Sequence, residues 1–270
     1  MRRVANARMY AVTPTVKAAW QELFAWVAQD AGVPLAYLDH AAPAPLEALW
    51  ERGDLGAAFM CGFPFASATR KPQIVAAPIP SPPRYGGKPC YCTDLVVRAD
   101  SAFVQLSDTF GGRIGWTVEH SQSGYQAVRH HLAALRAARF AQRIGPLVTP
   151  RRVIDALLRE EIDVGPLDSY VHDLLKRHEP ETAAKLRVVE STGMTPIPLL
   201  VASPGAADDA IARLRHALLS CHSAPELATT LDTLLLARFV AVEAAHYEVL
   251  LDQARAADLS LSARLGVTLQ

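Results

Sequence analysis

An α/β protein with buried strands is what the sequence predicts, and three observations carry that reading. Short apolar runs alternate with segments of helical periodicity along almost the whole chain. Hydrophobic residues make up 50% of the 270 and charged residues 20%, enough to build a sizeable core in one large domain or two modest ones. The third observation is an internal echo. Residues 47–56 run from a helix through an acidic turn into a short strand, and residues 155–165 repeat that plan with one extra residue. Two lobes built on the same βα scheme produce such an echo.

The elements follow in order. Residues 16–31 space Trp20, Leu23, Phe24 and Val27 three and four apart, an amphipathic helix stopped by Gly32 and Pro34. Residues 46–52 read as a second helix and residues 55–60 as a short buried strand, with Pro64 placed where a helix begins directly afterwards. Residues 72–89 are dense in Pro and Gly and predict a surface loop. Leu95-Val96-Val97 is a strand and residues 113–117 are another, after which Ser121-Gln122-Ser123-Gly124 leads into a long helix over 125–142. Pro150 opens a helix over 151–160, residues 162–165 form the strand of the second echo, and a further helix follows Pro166.

Charge and hydropathy exclude several classes. Lys+Arg 27 against Asp+Glu 27 leaves a formal net charge of +0, with no basic stripe to neutralise a phosphate backbone, so no nucleic-acid partner is expected. No membrane insertion is expected either, since the most apolar stretch, residues 234–251, is cut by Arg238, Glu243, His246 and Glu248. Asn6, Arg8, Thr13 and Pro14 interrupt the N-terminal segment, which therefore lacks the apolar run of an export signal. A cytoplasmic location is the resulting expectation, with a periplasmic one as the alternative if a leader has been removed. The four cysteines do not make a disulfide scaffold, and the one-residue gap between Cys90 and Cys92 suits a metal only if further ligands arrive from elsewhere. No cofactor or metal is expected. His130 and His131, adjacent on a helix, and His172 and His178 read as surface or capping residues.

Three places can carry binding chemistry. At Ser121-Gln122-Ser123-Gly124, directly before a helix, hydroxyls and the free N–H groups of the first turn converge, which favours phosphate, phosphonate, sulfate or carboxylate. The alternative role of either serine is a helix cap. Gly62 and Phe63 lie between a strand and a Pro-started helix and present backbone donors at a strand end; an ordinary tight turn is the other reading. Asp168, placed in the first turn after Pro166, either complements the helix dipole or faces a pocket and attracts a cation. A ligand touching both the Ser-Gly end and Asp168 would be a zwitterion, such as an aminoalkyl phosphonate. Neither a glycine-rich phosphate loop of the G-x-x-x-x-G-K-[ST] type nor a G-x-S-x-G nucleophile elbow occurs.

The order of these segments resembles the phosphate/phosphonate-type solute-binding proteins of ABC transporters, which have the type II periplasmic-binding-protein fold. Cys61-Gly62-Phe63-Pro64 is similar to the first-lobe ligand turn, residues 91–101 to the crossover strand, Ser121-Gln122-Ser123-Gly124-Tyr125 to the helix-start anion motif, and residues 163–170 to the second-lobe wall. The resemblance implies two α/β lobes joined by two crossover segments, residues 1–91 with 197–270 forming the first and 92–196 the second. It further implies a non-catalytic protein that closes its lobes on a small anionic or zwitterionic solute, with an ABC transporter permease as a partner. In this carry-over Ser121, Gln122, Ser123, Gly124 and Tyr125 hold the anionic head, Gly62 and Phe63 close over it, Asp168 meets a cationic part, and Tyr10 adds a hydroxyl. Intracellular ligand sensors and enzymes resembling chorismate dehydratase share the fold and form the alternative; there Asp168 or Glu119 would act as general base.

Overall fold

The computed structural model describes residues 2–135 and 138–265, and the chain divides into two compact units. One comprises Met1–Cys90 and Pro196–His246, the other Tyr91–Thr195 and Tyr247–Gln270.

The first unit opens with β1 (Arg3–Asn6) and α1 (Pro14–Ala31). The helix starts two residues before the expected 16–31 and stops where expected: Thr13 Oγ1 accepts the Val16 N–H, Pro14 takes the first helical position, and Gly32 ends the helix in the left-handed region at φ 59°. Trp20, Leu23, Phe24 and Val27 are buried. β2 (Leu35–Tyr37), α2 (Leu46–Trp50), β3 (Leu55–Met60), α3 (Gly62–Ser67) and β4 (Gln73–Pro80) follow. All six residues of β3 are buried, and the Phe59 ring meets Trp20 at 5.1 Å and Tyr10 at 4.8 Å edge-on, tying α1 to the sheet.

β4 falls where the Pro- and Gly-rich stretch predicts a loop. Composition misleads here because Val75, Ala76, Ala77 and Ile79 are fully buried, while Pro78 and Pro80 stand two apart. Their missing N–H groups therefore fall on the same edge of the strand, and the other edge keeps its donors.

β5 (Cys90–Tyr91) carries the chain into the second unit: β6 (Thr93–Arg98), β7 (Arg113–Gly115), a π-helical turn at Gln122–Gln126 continuing into α4 (Ala127–Ala134), β8 (Gln142–Ile144), α5 (Pro150–Leu158), β9 (Gly165–Asp168), α6 (Ser169–His178), α7 (Pro180–Ala183) and β10 (Leu186–Ser191). β11 (Thr195–Pro196), paired with β5, returns it to the first unit. There β12 (Leu199–Ala202), α8 (Asp208–Ser220), α9 (Ala228–Thr233) and β13 (Leu236–Val240) complete a six-stranded sheet in the order β13-β4-β12-β3-β1-β2. β1 is parallel to β2 and β3, whereas β12 and β13 run antiparallel to their neighbours. In the second unit an antiparallel β10-β6-β9 sheet stands beside the parallel β7-β8 pair.

Three expectations change in the second unit. The helix expected over 125–142 ends at Ala134; residues 136 and 137 lie outside the described residues, and Gln142 belongs to β8. Tertiary pairing overrides helix propensity there: the Arg139 carbonyl accepts the Gly111 N–H at 2.7 Å, Ala141 N–H donates to Gly112, and the Phe140 ring packs edge-on against Phe110 at 5.7 Å. Pro166 does not open a helix but sits in β9 opposite Leu95; β9 is an edge strand, where a missing N–H is tolerated, and α6 starts three residues later. Finally α10 (Val249–Leu265), which the resemblance assigned to the first lobe, groups with the second unit. It packs on α4, where Ser260 Oγ donates to the Ala133 carbonyl and Arg129 pairs with Asp258.

The echo has a structural basis in each unit separately. α2 precedes β3 and α5 precedes β9, and in both strands a glycine stands where backbone is crowded. A Cβ on Gly56 would lie 2.7 Å from Leu35 Cδ1, and one on Gly165 2.5 Å from Val153 Cγ1. The acidic turns differ in partner: Asp54 is held by Arg52, whereas Asp163 accepts from Arg113 through its guanidinium and its backbone N–H.

The Arg113 guanidinium holds the Asp163 carboxyl below its ordinary 3.8, so the folded state binds that proton less tightly than the unfolded chain. The pair's contribution is complete above the unfolded value and is lost as pH falls through the folded one. Asp163→Asn should lower unfolding stability by about 1–2 kcal/mol at ~pH 7, and urea titrations should show the gap to wild type narrowing as pH falls below the ordinary 3.8. A gap that stays the same size over that fall would exclude the charge as its cause.

Candidate functional site

One end of the β10-β6-β9 sheet gathers groups that the sequence scatters over a hundred residues. Thr93 begins β6 and pairs with Asp168, the last residue of β9. Its N–H donates to Thr192 Oγ1 at 3.0 Å, its carbonyl accepts the Thr192 N–H at 2.9 Å, and its own hydroxyl donates to the Ser123 carbonyl at 2.9 Å. Thr93 is 1% exposed, Asp168 6% and Ser123 8%. A single threonine thus fixes the helix start against two strand ends.

The helix start itself has unused donors. Ser121 Oγ accepts the Gly124 N–H at 3.0 Å as an N-cap, and the Ser121 carbonyl accepts the Gln126 N–H, five residues on. This wider π turn leaves the N–H groups of Gln122 and Ser123 without a partner among the described residues. The Gln122 side chain is 1% exposed, and its amide oxygen also lacks a partner among the described residues. A half-turn of that amide presents its NH2 group in the same place, so Gln122 can meet either an acceptor or a donor. Gly124 is required by close approach: a Cβ there would stand 1.8 Å from Thr117 Oγ1, while the Gly124 carbonyl accepts the Thr117 N–H. The Tyr125 ring packs against Trp116 at 5.3 Å and under the Arg129 guanidinium.

Asp168 sits one residue before the helix and not within its first turn. Its Oδ1 accepts the N–H groups of Tyr170 at 2.8 Å and Val171 at 3.1 Å, capping α6. Burial first, and the Asp168 and Asp173 carboxylates second, push the Tyr170 hydroxyl well above its ordinary range, so this ring stays neutral under the site.

Three candidates belong to the first unit. Gly62 and Phe63 open α3, where the Phe65 N–H donates to the Cys61 carbonyl, and the Tyr10 side chain is wholly buried against Phe59. Glu119 is exposed and offers its carbonyl to Gln126 Nε2 at 2.7 Å.

His172, expected at the surface, is a correction. It is 2% exposed, and its Nδ1 lies 2.7 Å from Asp94 Oδ2, while Asp94 Oδ1 accepts from Ser191 Oγ at 2.8 Å. The reading missed it because His172 follows the Asp168 cap on the buried face of α6, a phase visible only once the helix start is placed correctly. Thr93, Thr117 and Thr192 were missed as well; the one available signal was a β-branched hydroxyl at the mouth of an apolar strand. Cys90 and Cys92 are free thiols, and burial pushes the Cys90 thiol up, against the pull of Lys88. Among the described residues no three His, Cys, Asp or Glu side chains converge as metal ligands.

Neutral, preorganised donors at a helix start can receive an oxyanion. Residues 11–247 match the family described as the phosphonate ABC transporter periplasmic substrate-binding protein. The chain belongs to this family. Its members are solute-binding proteins, and the fold agrees with that of solved relatives. A binding-protein component of an ABC phosphonate transporter from Pseudomonas aeruginosa superposes with a TM-score of 0.78 at 18% identity, covering 97% of this chain and 89% of that one. A protein from Prochlorococcus marinus in complex with methylphosphonate gives 0.73 at 15% identity, over 94% and 97%. A Xanthomonas citri protein bound to ATP gives 0.63 at 17%, over 96% and 98%. The chain matches none of the curated proteins. The family is described as periplasmic, and no helix among the described residues is long and apolar enough to cross a membrane.

Gly124→Ala should destabilise the protein by about 1–3 kcal/mol, because the new methyl has to displace Thr117. The Gly124→Ala/Thr117→Ala double variant should recover part of the loss in thermal unfolding. Additive losses in the double variant would contradict this contact.

Proposed function

We propose that this protein captures a small phosphonate, phosphate ester or related oxyanion at the start of the Gln122–Ala134 helix and delivers it, in the periplasm, to the permease of an ABC transporter. The observation that carries the reading is the pair of unpartnered, buried backbone donors at Gln122 and Ser123, held in place by the Thr93 hydroxyl. Ser123 adds a hydroxyl at the same point. Arg129, the nearest cation along the helix, is committed to Gln126, Asp258 and the Tyr125 ring, so recognition rests on neutral donors and the helix dipole. Neutral donors hold an oxyanion without building a salt bridge that must be broken for release, which suits a protein that hands its ligand on.

Asp168 selects among oxyanions. It lies across the sheet end from Thr93 and carries the negative charge of this cluster, so a ligand with an amine beyond its phosphonate gains an electrostatic partner there. The match to a phosphonate-transporter family supports this substrate class, and the methylphosphonate complex of the Prochlorococcus marinus relative supplies the simplest probe.

Isothermal titration with methylphosphonate and 2-aminoethylphosphonate tests the assignment. Ser123→Ala should weaken both by about 1–3 kcal/mol, the cost of an anion left short of a donor. Asp168→Asn, which keeps an oxygen to cap α6, should weaken 2-aminoethylphosphonate and spare methylphosphonate. Equal losses for the two ligands would remove Asp168 from the site, and unchanged affinity in Ser123→Ala would remove the Ser123 hydroxyl from it.

A further inference from the structure

The second unit contains a cavity of about 290 Å³ that runs along α4 from Gly124 and Tyr125 to Leu132 and Ala133, with neither Gln122 nor Ser123 in its lining. Its walls are Ile114, Trp116, Tyr125, Val128, Leu132 and Phe140, closed on one side by Ala257 of α10. Roughly ten water molecules would occupy that volume in the liquid, yet the walls offer them few polar partners. Apolar surface facing so few hydrogen-bonding groups is better covered by hydrocarbon than by water.

Its charged lining is one-sided. Arg129, Arg139 and Arg143 line the cavity, and no carboxylate does. Arg129 is paired with Asp258, and the Arg139 guanidinium donates to the Ala138 carbonyl. Arg143 is exposed, and its guanidinium has no ion pair or hydrogen bond among the described residues. β8 holds Arg143 opposite Ile114 in the β7 ladder, which fixes its backbone beside the apolar walls.

We infer that this cavity is a second ligand site, distinct from the Gln122 and Ser123 amides, for an amphipathic organic monoanion: an aryl or alkyl body buried against Trp116, Leu132 and Phe140, with a carboxylate or sulfonate turned toward Arg143. The phosphonate site recognises a compact head through neutral amides; this one recognises a hydrocarbon body and reads charge through a guanidinium at the mouth. Occupancy would join α4 to α10, the helix contributed by the chain's last described segment.

The probe is 4-phenylbutyrate, with 4-phenylbutanol as its uncharged match, followed by tryptophan emission and by calorimetry on the full chain. Trp116 lines the cavity, whereas Trp20, Trp26 and Trp50 belong to the first unit, so the emission change should vanish in Trp116→Phe while heat is still released. The carboxylate should bind about tenfold more tightly than the alcohol, and Arg143→Glu should erase that preference. Ala133→Trp, filling the cavity, should abolish binding with an unchanged far-ultraviolet circular dichroism spectrum; if that variant does not fold, Arg143→Glu, at an exposed position, carries the test. Methylphosphonate should neither displace 4-phenylbutyrate nor lose affinity in Arg143→Glu. Displacement by methylphosphonate, equal affinity for acid and alcohol, or no binding of either would each overturn the inference. Failure of methylphosphonate to bind at all would refute the phosphonate reading and leave this one standing.

Discussion

A helix start cannot be buried unless its N–H groups find acceptors, and that constraint organises the second unit. Thr93 Oγ1 grips the Ser123 carbonyl, Ser121 consumes the Gly124 N–H, and Gly124 lies too close to Thr117 to carry a side chain. These contacts hold the chain in place but leave Gln122 and Ser123 N–H directed at nothing within the described protein. The deficit is stabilised by strands: Thr93 is fixed by Asp168 on one side and by Thr192 on the other. Buried donors left without acceptors cost stability, and on the proposed function an arriving oxyanion would recover it without a fixed positive charge.

Asp168 shows how one side chain serves fold and site together. One oxygen caps α6, and the carboxylate places negative charge at the sheet end that Thr93 shares with the proposed anion site. Below it, Asp94 and His172 form a buried pair within the same sheet and helix, so the base of the site is itself a polar network enclosed by apolar walls. Such a network tolerates little repacking, because removing one partner strands the other.

Much of this was legible in the residues. The bounds of β3 followed from an unbroken apolar run between an acidic turn and Pro64, and the body and end of α1 from its apolar spacing and Gly32. The echo marked α2-β3 and α5, but the strand expected over 162–165 begins only at Gly165, where the crowded glycine stands. What failed did so for identifiable reasons. Proline density concealed β4, since what matters in a strand is the edge on which each missing N–H falls. The helix after Ala134 was lost to pairing with Gly111 and Gly112, a contact no local pattern records. The helix start at Ser121 was legible because a helix start has a local grammar, whereas Asp168 was placed inside the helix that it caps. Thr93, Thr117 and Thr192 were not legible, because their role depends on which strands become neighbours.

The central claim is that backbone amides of Gln122 and Ser123 grip the oxyanion, and amide NMR reads them directly. On titrating methylphosphonate into ¹⁵N-labelled protein, the Gln122 and Ser123 amide protons should move strongly downfield and become protected from solvent exchange, more than any other amide in the second unit. Saturable binding that leaves those two signals where they were would contradict the account.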